Sequence, residues 1–171
     1  MQVRVDDIPA SGRTWQVDLD TDWARRAAAE ALDAEPTALA ASIRVNGTDK
    51  AKRVRVELTA HAEAPGTCDR CGEELSRAVD VASDLLYEPE PTETSEEEVE
   101  LGEDDLDVGW YRDAHLSLPD ILMEAVALEL PSRVLCTDEE ACEARTRALL
   151  EAASEGGSGH PAFAALKNLK N

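Results

Sequence analysis

Residues 39–58, LAASIRVNGTDKAKRVRVEL, carry two short apolar runs on either side of an Asn-Gly pair, and their spacing decides the fold class. Leu39, Ala41, Ile43 and Val45 recur at every second position, and so do Val54, Val56 and Leu58, with Arg53, Arg55 and Glu57 on the opposite face. A period of two is the pattern of a strand with one buried side. Asn46-Gly47, leading NGTDK, supplies a turn between the runs. Pro65-Gly66 is read as the end of the second strand, and Leu75, Val79, Val81 and Leu85 make a third. Three sequential strands of this kind predict an antiparallel meander.

Helical patterns flank the strands. MQVRVDDIPASGRTWQVDL opens the chain as an extended stretch with a turn at Ser11-Gly12. An Ala-rich helix follows, capped by Thr21 or Asp22 and stopped by Pro36. Residues 118–131, LPDILMEAVALELP, place Leu118, Ile121, Leu122, Ala125, Val126 and Leu130 on one helical face, closed by Pro131. Residues 136–154 read as a further helix, with Thr137 and Glu140 at capping-box spacing. The fold class is therefore α+β, an antiparallel sheet packed with several helices. One domain is expected over residues 1–153, with a flexible linker and tail motif over 154–171.

Between the third strand and the best helix, Glu88 to Asp107 contains eleven acidic residues and no Lys or Arg. Such a run reads as an inserted, mobile, solvated loop. It supplies more than half of the net charge of -20. That charge repels phosphate backbones at long range and suits a basic partner, although plain solubility also accounts for it. At 43% hydrophobic, the 171 residues can bury a core, an aliphatic one since aromatics are only 4%. The N-terminus lacks the apolar h-region of a signal peptide, and no run is long enough to span a membrane. The expected location is cytoplasmic, where thiols stay reduced.

Four cysteines in that compartment point to metal or thiol chemistry. Cys68 and Cys71, in GTCDRCGEEL, have the spacing of a metal knuckle, and Gly72 permits the positive φ that such a turn needs. A thioredoxin-like redox pair would sit at a helix N-terminus, whereas this pair lies between two strand-like segments. Tetrahedral zinc needs two more ligands, and Cys136 and Cys142 are the candidates. Their five-residue gap is wide, yet works if Cys136 precedes the helix and Cys142 lies in its second turn. A shared ion would hold the sulfurs about 4 Å apart. Arg133 and Arg145 are the positive charges nearest to Cys136 and Cys142 in sequence. The competing account leaves Cys68 and Cys71 as a bare turn and Cys142 as a buried helix residue. His61, His115 and His160 have no second ligand nearby in sequence.

No Gly-rich phosphate loop, H-E-x-x-H or G-x-S-x-G is present, so no catalytic constellation or small-molecule substrate site is read here. Lys50, Lys52, Arg53 and Arg55 form a weak basic cluster without an aromatic platform for bases.

The order of these features resembles the YceD family, the large ribosomal RNA subunit accumulation protein of bacteria and plastids. The resemblance rests on CDRCGEEL between two strands, the acidic loop, LPDILMEAVALELPSRVLC, and the tail HPAFAALKNLK. It spans about residues 36–170. It implies a non-enzymatic factor needed for normal levels of 23S ribosomal RNA, with ribosomal proteins or pre-ribosomal particles as partners. Cys68 and Cys71 match the family's knuckle, and Cys136 and Cys142 fall where members often carry further Cys or His. A structural zinc ion on these four cysteines is the candidate cofactor read from the residues themselves. Glu124, Leu130 and Pro131 match the family's helix signature. Pro161, Phe163, Leu166 and Leu169 match its tail, and with Lys167 and Lys170 they are the candidate partner-binding residues. His160 and Ala162 depart from the usual tail residues. Two other readings stand beside this one: a thiol-disulfide protein using Cys68 and Cys71, and a zinc-stabilised interaction module of other function. An RNA-processing enzyme is disfavoured by the charge.

Overall fold

The computed structural model describes residues 1–47, 52–90 and 108–155. Within them, β3 (Ala38–Val45), β4 (Val54–Thr67) and β5 (Glu74–Pro89) are successive neighbours in one sheet, as the alternating pattern predicts. β3 and β4 run antiparallel, with Ile43 opposite Leu58 and Val45 opposite Val56. These side chains are buried on one face, while Arg44 and Glu57 pair on the other. Among the described residues the sheet has five strands, in the order β2-β3-β4-β5-β6, with β2 (Arg13–Asp18) at one edge and β6 (Val108–Tyr111) at the other. The architecture is α+β.

Several elements differ from expectation for local reasons. The N-terminal extended stretch divides. β1 (Gln2–Arg4) pairs antiparallel with β7 (His115–Ser117), a single 3-10 turn follows at Val5–Asp7, and β2 pairs with β3. β4 continues through Pro65 and Gly66 to Thr67 instead of stopping there. The β3 ladder ends at Ala38 opposite Glu63, so the missing N–H of Pro65 breaks no bond on that side. β6 joins β5 in parallel, from Leu86 opposite Val108 to Pro89 opposite Tyr111. Glu88 and Pro89, assigned to the acidic loop from sequence, thus belong to a strand. The rest of that run, 91–107, and the tail motif from Pro161 to Lys170 lie outside the described residues.

Two helices supply the layer over the buried sheet face. α1 (Asp22–Leu32) buries Ala24, Ala27, Ala28 and Leu32, and packs against α2 (Leu118–Glu129). α2 buries Leu118, Ile121, Leu122, Ala125 and Val126, the stripe that the sequence marks out. α1 ends before Pro36. Asp33 adopts φ 50° and its N–H reaches back toward the last carbonyls. The Thr21 hydroxyl does not cap the helix but bonds the Asp18 carboxylate. No described helix is long and apolar enough to cross a membrane.

The chain forms two compact units. One comprises Met1–Gly66 and Ser76–Ser132 and holds the sheet, α1, α2 and the apolar core. The other comprises Thr67–Leu75 and the chain from Arg133 onward, including α3 (Glu139–Glu155).

Candidate metal centre

The smaller unit has an interior of a different kind. Its buried cluster is Cys68, Cys71 and Cys142, with Leu75 and Cys136 packed against them. Among the described residues such short side chains make only a small apolar core, and hydrogen bonds also fix the loop. The Cys68 N–H donates to the Glu73 carbonyl at 2.8 Å, and the Gly72 N–H donates to the Cys68 carbonyl at 2.9 Å. Gly72 sits at φ 74°, where a side chain is disfavoured. Asp69 fastens this turn to the distant chain segment. Its N–H donates to the Val134 carbonyl at 2.8 Å, and its carboxylate accepts from the Val134 N–H at 2.5 Å. Cys136 is thereby delivered to the knuckle. Cys142 arrives on the opening stretch of α3, which Asp138 caps through the Ala141 N–H at 3.0 Å. The capping box expected from Thr137 and Glu140 does not form, because the helix begins two residues beyond Thr137.

All four sulfurs lie within 4.8 Å of one another. Cys68 and Cys142 are 3.7 Å apart, and Cys71 and Cys136 are 3.6 Å apart. A disulfide would need about 2.0 Å. Four thiolates on a tetrahedral zinc ion, with bonds of about 2.3 Å, stand about 3.8 Å apart. The donor set and spacing fit such an ion. His61 and His115 are engaged elsewhere: His61 lies between Asp80 and Glu63, and His115 bonds the Asp113 carbonyl. His160 is outside the described residues.

The electrostatics of the cluster are uneven. The backbone N–H of Cys71 is the largest influence on Cys68 and pushes its thiol down to about 6. A hydrogen bond from Arg145 lowers Cys71. Burial, reinforced by the neighbouring sulfurs, raises Cys136 and pushes Cys142 up to about 12. Two thiols are therefore shifted toward ionisation and two away from it. A soft divalent cation removes this conflict by allowing all four to ionise in one small volume. Arg145 adds a positive charge, with Nε 3.5 Å from Cys71 Sγ and Nη2 3.3 Å from Cys136 Sγ. Glu73 holds the same guanidinium at 3.5 Å.

Of Arg133 and Arg145, the arginines nearest Cys136 and Cys142 in sequence, Arg145 makes these contacts, whereas Arg133 shows none to a sulfur among the described residues. Sequence reasoning did not single out Asp69. An Asp inside a Cys-x-x-Cys turn reads as ordinary loop chemistry, and only the fold reveals its partner sixty-five residues on.

A family model described as Large ribosomal RNA subunit accumulation protein YceD matches residues 56–170. The chain belongs to the YceD family. The match takes in the knuckle, β5, α2 and α3, and leaves β1, β2, α1 and β3 before its start. No curated protein and no solved structure is a significant match. The family is named for accumulation of the large-subunit ribosomal RNA, and this chain is thereby connected with that process.

Proposed function

We propose that this protein is a non-catalytic factor for the accumulation of 23S ribosomal RNA, acting through protein contacts with ribosomal components. The family match carries the reading. The net charge of -20 supports it, since a basic ribosomal protein is a better electrostatic partner for this surface than bare RNA.

Cys68, Cys71, Cys136 and Cys142 hold one structural zinc ion in this reading, supported by the sulfur spacing. When bound, the ion ties the knuckle to the start of α3 and supplies folding energy, not reactivity. The chain's own residues prepare the site. Gly72 shapes the turn, Asp69 brings in the segment before Cys136, and Arg145 lowers the negative charge of a four-thiolate centre.

The test has two arms. In cells lacking the protein, the ratio of 23S to 16S ribosomal RNA should fall and return on complementation; an unchanged ratio overturns the role. Elemental analysis of the purified chain should give one zinc per molecule, reduced in Cys142→Ser. Metal-free protein that cycles reversibly between dithiol and disulfide would favour the thiol-disulfide reading instead.

A further inference from the structure

Among the described residues β6 is one of the two edge strands of the sheet, opposite β2. Trp110, on this strand, is 62% exposed, and Leu128 on α2 is 77% exposed. Both line a groove of 530 Å³ with Tyr87 and Glu124. A second groove of 390 Å³ shares Tyr87, Trp110 and Glu124 and adds Asp120. Gly109 makes room for the Tyr87 ring on the groove wall. A Cβ there would meet the Tyr87 ring at 2.5 Å, so the strand has a glycine where the ring lies across it.

The backbone of β6 adds a second observation. The Glu90 N–H donates to the Tyr111 carbonyl, so Tyr111 and, by alternation, Gly109 direct their polar groups at β5. Val108 and Trp110 then direct theirs outward. An outward row of this kind accepts an added strand.

The charge of the groove selects the occupant. Asp120 and Glu124 have no cationic partner among the described residues, and they help burial push the Tyr87 phenol up to about 12. Asp84 also lines the wall, but Arg55 holds it. Arg112, the cation at the rim, is held by Glu90 at 2.5 Å. Lysine or arginine side chains alternating with apolar ones would set their cations beside Asp120 and Glu124 and their apolar groups on Trp110 and Leu128.

We infer that the edge formed by β6 and α2 is a docking site for an extended basic segment of a partner protein. This deepens the proposed function by assigning a surface to its protein contacts, and it rests on that reading only for the partner's biological source. The chemical claim can be tested separately. The probe is a fluorescein-labelled peptide alternating lysine and valine, with a glutamate-valine peptide as control, read by anisotropy on the full chain. The lysine peptide should bind, and more weakly as salt is raised. Trp110→Ala and Glu124→Lys should each weaken it at least ~tenfold. Asp20→Lys makes the same charge change on an exposed turn of β2–α1 and should leave affinity within about twofold. Equal loss in Asp20→Lys reduces the effect to bulk charge and overturns the site. So does unchanged binding in Trp110→Ala. A dimer in sedimentation that Trp110→Ala converts to monomer puts a second copy on this edge, and also overturns it. None of these outcomes depends on ribosomal RNA levels, so the site can fail while the proposed function stands.

Discussion

Two exposed or half-exposed side chains carry most of the testable chemistry at the level of single residues. His61 Nδ1 lies 2.7 Å from the Asp80 carboxylate and its Nε2 lies 3.2 Å from Glu63. The hydrogen bond to Asp80, then the one to Glu63, raises its pKa above the ordinary 6.5. A raised pKa means that the folded state binds the proton more tightly than the unfolded chain. The stabilisation is thus complete below pH 6.5 and is lost as pH rises through the folded value. The site is open to solvent, so the effect on stability is small and screened by salt. An NMR titration should find His61 above 6.5, with Asp80→Asn bringing it down. Arg145 is the second case. Replacing it with Leu removes the largest influence lowering Cys71, so metal-free Arg145→Leu should alkylate more slowly at Cys71 near neutral pH. An unchanged alkylation rate would mean that the guanidinium contact is incidental.

The elements show which sequence signals were sufficient. β3, β4 and β5 were legible because a one-sided strand repeats its apolar residues at the period of the pleat, and Ile43, Val56 and Leu58 obey it without exception. Leu58→Ala should therefore cost about 2–5 kcal/mol in a denaturant melt, as for a fully buried Leu. α2 was legible for the matching reason at helical period. β6 was not: four residues, VGWY, after an acidic run carry no periodic signal, and their strand state comes from pairing with β5. Helix starts were also poorly marked. Thr137-Asp138 offers two adjacent capping residues, and the choice between them depends on where the chain leaves Cys136. The structure selects Asp138, so Asp138→Ala should lower the stability of α3 by about 1 kcal/mol while Thr137→Ala changes it little. Equal losses in thermal melts of the two variants would revive the capping box. Cys68 and Cys71 were legible as a candidate pair from spacing, and Cys136 and Cys142 only as the remaining cysteines. The means that bring the two halves together, Asp69 with Val134 and Arg145 with Cys71, were not, since bonds across sixty-five or more residues leave no local pattern.

For the molecule as a whole, the decisive contrast is between the interiors of its two units. The larger one has an extensive aliphatic core running from Val3 to Val126, enough to hold a sheet and two helices by apolar burial. The smaller one has a cluster made almost wholly of cysteine. Leu149 and Leu150 of α3 are exposed, so among the described residues that helix has little apolar anchorage. In proteins most of a helix's stability comes from tertiary packing of an apolar face, which α3 lacks among the described residues. If metal supplies the missing cohesion, its removal should melt one unit and spare the other. Treatment with a strong chelator under reducing conditions should then expose the amides of residues 67–75 and 133–155 to hydrogen exchange, with β3, β4 and α2 still protected. Circular dichroism should lose helix signal and retain strand. Adding zinc back should restore both, and Cys68→Ser should resemble the chelated protein whether or not zinc is present. Protection in 133–155 that survives chelation would show that the cysteine cluster holds this unit as packed thiols, with no ion required. Loss of protection throughout the sheet would instead make the centre a keystone of the entire chain.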